Sequence, residues 1–155
     1  MYETVDRPHY LIPGLAGIYE GLETYSWPLV RVATGLFFVP HGLQKLFGFW
    51  GGDLGKYAEG FAKLGFQPGM FWASYIGGLE FFGGLLLVIG LLTRPVAALF
   101  VGFMAVAAFY VTIQRGWFWA GGGMEVPLYL MLISIAILIR GGGALSVDRA
   151  LGREI

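Results

Sequence analysis

Long apolar stretches alternate with short polar ones along the chain, and the long stretches lack the periodic polar face of a soluble amphipathic helix. Four of them read as membrane-crossing helices, each near the roughly 20 residues that about 30 Å of hydrocarbon demands. The first covers 28–47, with Ser26 as its N-cap and Pro28 inside its first turn. The second covers 71–92. "TRP" at 93–95 makes a tight connection to the third, 96–113, and the fourth ends at Ile139, before Arg140 and three glycines. Between the first two spans, Leu54, Tyr57, Ala58, Phe61 and Ala62 recur at helical spacing, with Lys56, Glu59 and Lys63 on the other side. Asp53 caps this helix, and Glu59 and Lys63 form an i,i+4 pair. It lies either along the membrane surface or over the mouth of the bundle. Residues 14–25 read as a second, weaker surface helix.

The expected fold is therefore an all-α integral membrane protein. It is a four-transmembrane-helix bundle with an interfacial amphipathic helix between the first two spans. Residues 1–26 form an acidic, interfacial N-terminal segment and 27–155 the membrane domain. Composition agrees: 57% of the 155 residues are hydrophobic and 13% charged, against about a quarter charged in a soluble domain. Residues 1–26 carry Glu3, Asp6, Glu20 and Glu23 against Arg7, the reverse of a basic leader, so the first span acts as its own insertion signal. There is no Cys, which removes disulfides, iron–sulfur clusters and thiol chemistry from this chain. His9 lies outside any span and leaves only His41 inside one, too few for a bis-histidine haem. Net charge is zero and no basic stripe appears, so nucleic acid is excluded as a partner.

Four spans put both termini on one side. That side holds Arg7, Arg31, Arg94, Arg140, Arg149 and Arg153, the other Lys45, Lys56, Lys63 and Arg115. The excess places the termini in the cytoplasm.

Polar groups within apolar spans are the candidates for chemistry. Glu80 sits about 14 Å into the second span and shares a helical stripe with Ala73, Gly77 and Gly84. Small residues mark the packed side of a membrane helix, so Glu80 faces the bundle. The third span offers a matching stripe in Ala98, Gly102 and Ala105. Cationic partners come from the first span, where His41 and Lys45 share a face with Gln44 beside them and Arg31 three turns earlier. Pro40 bends that helix where His41 enters it. "GGLE" at 77–80 is echoed by "GGME" at 122–125, which sets Glu80 and Glu125 at similar distances before Arg94 and Arg140. The echo reflects either duplicated hairpins or chance in a glycine-rich chain. Residues 126–139 make only about 21 Å of helix. "RGWFWAGGG" must supply the rest as non-helical backbone, anchored by Trp117 and Trp119, with the donors of Gly122 and Gly123 free to hold a small polar group.

"RVATGLFFVPHGLQKLFG", "GGLEFFGGLLLVIGLLTRP" and "GWFWAGGGMEVPLYLMLISIAILIRGGGALSVDR" together strongly resemble the DoxX family of bacterial and archaeal membrane proteins, over about 27–151. The resemblance implies a four-helix protein of the bacterial cytoplasmic (inner) membrane, related to the membrane part of a thiosulfate:quinone oxidoreductase. The family's polar positions fall on His41, Gln44, Lys45, Glu80, Gly122, Gly123 and Glu125. Residues 1–26 look like an addition to the family core.

Two readings follow. In the first, the chain is a membrane subunit of a quinone-linked oxidoreductase with a polar pocket near the outer leaflet. Glu80, Glu125, His41 and Lys45 are its catalytic candidates. His41 or Lys45 donates to a quinone carbonyl and Glu80 or Glu125 exchanges protons. Gln44, Trp117, Trp119, Gly122 and Gly123 contribute to binding, with Phe49 and Trp50 beside the ring. Electrons come from a bound substrate or a partner subunit. In the second, the chain is a non-catalytic subunit that anchors or docks a larger membrane complex, and the same charges pair to fix helix register. A channel of several copies is a third, weaker reading. Two Glu and one His make a thin case for a metal, and none is assigned.

Overall fold

The computed structural model describes residues 10–152, so Glu3, Asp6, Arg7, His9 and Arg153 lie outside the described residues. Among those described, the chain is helical with no strand. Helix α1, Ala16–Phe47, is one rod of 32 residues, about 48 Å long. The expected break at Ser26 does not occur. The Ser26 hydroxyl donates back to the carbonyl of Glu23 at 2.7 Å, and Pro28 and Pro40 both lie inside the helix, their fixed φ being helical already. Residues 16–25 are thus the start of α1 and not a separate surface helix. Gly48, at φ 72°, ends it.

Helix α2, Leu54–Lys63, begins where the Asp53 side chain accepts from the N–H groups of Gly55 and Lys56 at 2.8 and 3.2 Å. Its buried Ala58 meets Gly69 so closely that a Cβ there would lie 2.1 Å from the Ala58 carbonyl oxygen. Lys56, Glu59 and Lys63 are exposed. Helix α3, Gly69–Gly78, a π-turn, Leu79–Gly83, and α4, Gly84–Ile89, form the continuous rod Gly69–Ile89. Helix α5, Thr93–Val106, continues through a π-turn, Ala107–Thr112, and a short 3₁₀ turn to Arg115. After a loop come α6, Glu125–Arg140, and the single turn α7, Val147–Ala150.

The rods Gly69–Ile89 and Thr93–Arg115 are long and apolar enough to cross a membrane. The fourth apolar stretch yields only the 16 residues of α6, about 24 Å. The core joins α1 to α4, α5 and α6 through Phe38, Leu87, Phe100 and Ile137, with the Phe38 and Phe100 rings stacked 3.9 Å apart. Leu29, Phe71, Phe82, Phe109, Tyr129 and Ile139 are among the large apolar side chains left exposed, a surface suited to lipid rather than water.

Ala73, Gly77, Glu80 and Gly84 all face inward, as their stripe predicts. The second stripe does not. Ala98 and Gly102 are exposed, and α5 packs through Ala97, Phe100, Met104 and Ala108 instead. Phe100 and Met104 have the volume to fill the bundle centre, and Ala98 and Gly102 are turned away from it.

One end of the bundle is closed by the C-terminal residues. Arg31, fully buried, donates to the carbonyls of Leu87, Val88 and Leu145, and so caps the end of α4. Gly90, at φ 71°, leaves room for it, since a Cβ there would lie 2.5 Å from Arg31 Nη1. The Asp148 carboxylate accepts from the N–H groups of Leu92 and Thr93 at 2.8 and 2.9 Å and caps α5. Burial pushes the Asp148 carboxyl up, but those backbone hydrogen bonds and the Arg31 charge outweigh it and hold it below the usual range. Trp27 donates its indole N–H to the Gly141 carbonyl at 3.0 Å, under the Arg140 guanidinium.

Candidate functional site: an ion pair behind an apolar cleft

Two glycines bring α1 against the second rod. A Cβ on Gly42 would lie 2.4 Å from the Phe81 nitrogen, and one on Gly77 would lie 2.9 Å from Leu46 and 3.2 Å from Lys45 Cβ. This close approach lets Lys45, in the last turn of α1, reach across to Glu80. Its ammonium donates to both carboxylate oxygens, at 2.9 Å to Oε1 and 2.7 Å to Oε2. The side chains are 13% and 6% exposed, so the pair is largely removed from solvent. Glu80 belongs to the π-turn, whose extra residue widens the inward face, so that the neighbours Leu79 and Glu80, and Gly83 and Gly84, are all buried.

Lys45 also forms part of the wall of a cleft of about 640 Å³ between α2, α3 and α5. Lys56, Tyr57 and Phe61 line it from α2, Trp72, Tyr75 and Ile76 from α3, and Ala98, Leu99, Gly102 and Phe103 from α5. Its volume lies in the range of small-molecule sites. The walls are almost wholly apolar. Lys45 Nζ stands 5.2 Å from the centre of the Tyr57 ring, a cation–π contact that keeps it at the wall. At the far end Phe66 packs on Trp72 and Tyr110, and the Tyr110 hydroxyl donates to the Leu64 carbonyl at 3.1 Å.

The other candidates of the sequence do not converge here. His41 is exposed and packs against the Phe37 ring at 5.2 Å. Gln44 lies under the Gly52 backbone, where a Cβ would meet its carbonyl oxygen at 1.8 Å. Arg31 serves the opposite end of the second rod. Glu125 turns into its own loop, where Oε2 accepts from the Trp119 N–H at 3.0 Å. The loop's donors are not free as expected. The N–H groups of Gly121, Gly122, Gly123, Met124 and Glu125 all bond to carbonyls between Gly116 and Trp119. Gly122 and Gly123 therefore shape the loop, and Trp117 and Trp119 stand half-exposed on it.

The two carboxylates stand differently in their helices: Glu80 is nine residues before Ile89, where Gly90 ends the second rod, whereas Glu125 opens α6, fifteen residues before Arg140. Sequence reasoning missed Tyr57 and Lys56 as neighbours of Lys45. The spacing Asp53-x-x-Lys56-Tyr57 signalled the helix but not which side would meet α1.

Residues 26–113 match the DoxX family. The chain belongs to that family. The matched span contains Lys45, Glu80 and every residue that lines the cleft, while Gly122, Gly123 and Glu125 lie beyond it. Among curated proteins, this DoxX chain is similar to one of Bacillus subtilis (strain 168) named "Putative oxidoreductase CatD". The two are 32% identical over 120 residues, which is 77% of this chain and 82% of the relative. No solved structure matches.

Proposed function

We propose that this DoxX protein is an integral membrane subunit of a quinone-linked oxidoreductase, with α1, the rods Gly69–Ile89 and Thr93–Arg115, and α6 crossing the bacterial cytoplasmic membrane. On this reading both termini are cytoplasmic, and α2 lies at the outer face with its lysines toward the headgroups. The observation that carries it is the apolar cleft with Lys45 in its wall and Glu80, its buried partner, behind it. The cleft fits an isoprenoid quinone, since it is apolar, of small-molecule size and bordered by aromatic rings. A bound quinone would supply two-electron redox chemistry that this chain lacks, with electrons delivered by a partner subunit. The chain's own part is to hold and orient. Aromatic walls exclude water, Lys45 presents an N–H, and Glu80 holds that ammonium in place.

Isolating the complex from native membranes and measuring quinone reduction tests this reading. It predicts that Lys45→Met paired with Glu80→Gln, which keeps the site neutral and filled, lowers quinone turnover at least tenfold. Unchanged turnover in a correctly assembled complex rejects it.

A second reading has its own support: both Glu80 oxygens are already taken by Lys45. In that case the pair fixes the register of α1 on the second rod, and the chain is an accessory subunit that docks a larger complex. The same double variant then assembles and turns over normally.

A further inference from the structure

A second cavity, of about 290 Å³, lies toward the other end of the bundle, beside the exposed start of α1. Glu23, Thr24 and Trp27 line it from one face of α1, Arg140 from the last turn of α6, and Gly143 and Arg149 from the C-terminal segment. The Arg140 guanidinium lies over the Trp27 ring, 4.8 Å from its centre, and the Trp27 indole N–H is anchored on the Gly141 carbonyl at 3.0 Å. A Cβ on Gly143, at φ 67°, would lie 2.5 Å from Trp27 Cδ1, so glycine lets this backbone close on the ring. Stacking holds the flat face of the guanidinium and leaves its N–H edge for a ligand. Arg149 brings a second guanidinium to the same space. No described side chain pairs with either guanidinium, nor with the Glu23 carboxylate that shares the cavity.

Two cations and one anion, unpaired within one cavity, complement a ligand that carries both signs. Arginine N–H groups suit a phosphate, the Thr24 hydroxyl adds a donor, and Glu23 suits an ammonium group. The surroundings favour a lipid. Ile139 and Leu145 adjoin Arg140 and Ala144 of the cavity and are 72% and 66% exposed, which sets apolar surface beside the polar site. Trp27 is of a residue type enriched where membrane meets water. We propose that this cavity binds the headgroup of a phospholipid bearing a primary amine, of the phosphoethanolamine type. The phosphate lies between Arg140 and Arg149 within reach of Thr24, the ammonium meets Glu23, and the acyl chains run along Ile139 and Leu145. The lipid so held bridges α1, α6 and the C-terminal segment. The inference rests on the end of α6 lying at a membrane surface, as in the placement proposed above, and on nothing that concerns a quinone.

The test is lipid retention by the full-length protein in detergent, read by native mass spectrometry. The probes are phosphatidylethanolamine, phosphatidylglycerol with the same acyl chains, and soluble O-phosphoethanolamine. With each headgroup charge contact counted at about the strength of one arginine at a membrane surface, phosphatidylethanolamine should be retained about fivefold more than phosphatidylglycerol. The soluble headgroup should bind more weakly than either lipid. Arg140→Gln combined with Arg149→Gln should reduce retention of both lipids at least about tenfold, whereas Glu23→Gln should remove only the preference between them. Arg149→Gln alone, which removes no side-chain contact to a described residue, should still cost about fivefold and keeps the test sharp if loss of the Arg140 stack disturbs the fold. Equal retention of the two lipids by the parent overturns the amine contact. Undiminished retention by the arginine variants overturns the location, and soluble O-phosphoethanolamine bound as tightly as the lipid overturns the lipid. Membrane placement is checked apart from this. Ala150→Cys, the sole thiol in a chain without Cys, should react with a membrane-impermeant maleimide from the cytoplasmic side. Labelling from the other side rejects the orientation proposed above, while lipid retention alone decides the headgroup site.

Discussion

Removing Lys45 alone should cost far more than removing Lys45 and Glu80 together. Each group is mostly buried, and the two are joined by hydrogen bonds of 2.7 and 2.9 Å. Stripping one partner from a buried pair leaves an uncompensated charge and costs about 3–5 kcal/mol, whereas replacing both with neutral side chains of similar volume is often near neutral. The single substitutions Lys45→Met and Glu80→Gln should therefore each destabilise by about 3 kcal/mol or more, and the double variant by about 1 kcal/mol. Glu80→Gln should be the milder, since the Lys45 left behind borders the cleft and keeps its contact with the Tyr57 ring, while a Glu80 left alone lies behind that wall. For a chain of this length each kcal/mol moves the midpoint by roughly 2–4 °C. The single variants should then unfold roughly 6–12 °C below the parent. Thermal unfolding of the four proteins in one detergent, followed by tryptophan fluorescence, gives the coupling energy directly. Single losses below about 1 kcal/mol, or a double variant equal to the sum of the singles, would refute the argument that this pair is a desolvated unit.

Gly42→Ala should destabilise by about 1–3 kcal/mol, because its Cβ would lie 2.4 Å from Phe81 nitrogen and force the two helices apart; wild-type stability of that variant in a denaturant titration would contradict the close packing. Gly21→Ala, on the open start of α1 with nothing within 4 Å, should stabilise by about 0.5–1 kcal/mol through helix propensity alone. Asp148 is held below the usual carboxylate range, so its contribution to stability is complete above its unfolded pKa of about 3.9 and is lost as pH falls through the folded value. Midpoints measured from pH 7 to pH 3 should fall more for the parent than for Asp148→Asn, and parallel curves would count against the cap. Glu125→Gln should shift the midpoint by less than about 1 kcal/mol and leave quinone binding intact, because its carboxylate serves one exposed loop N–H; loss of binding would return Glu125 to the site.

Much of the fold was legible because its signals are local. Apolar runs of about 20 residues marked two rods correctly to within a few residues, Asp53 announced α2, and the glycines beside Glu80 marked the face that packs. The partner of Glu80 was legible only as a shortlist of Arg31, His41 and Lys45, since spacing along one helix cannot say which turn of another will lie opposite. The two π-turns left no mark in the residue pattern, and one of them widens the inward face around Glu80. The GG-x-E echo was no guide to partners: Glu80 meets Lys45 across a helix crossing, whereas Glu125 accepts from the Trp119 N–H of its own loop.

By itself the sequence determined that this chain is helical, that its long segments are apolar enough to need lipid, and that an acidic group inside one of them needs either a cation or a proton. Those are properties of single segments and follow from composition and period. Only the tertiary structure decided that Lys45 is that cation, that Glu125 serves a loop, and that the small residues of α5 open a cleft. These depend on how helices rotate and approach one another. Glycines at the crossing of α1 with the second rod and bulky Phe100 and Met104 at the bundle centre set that geometry together, and no single segment carries it alone.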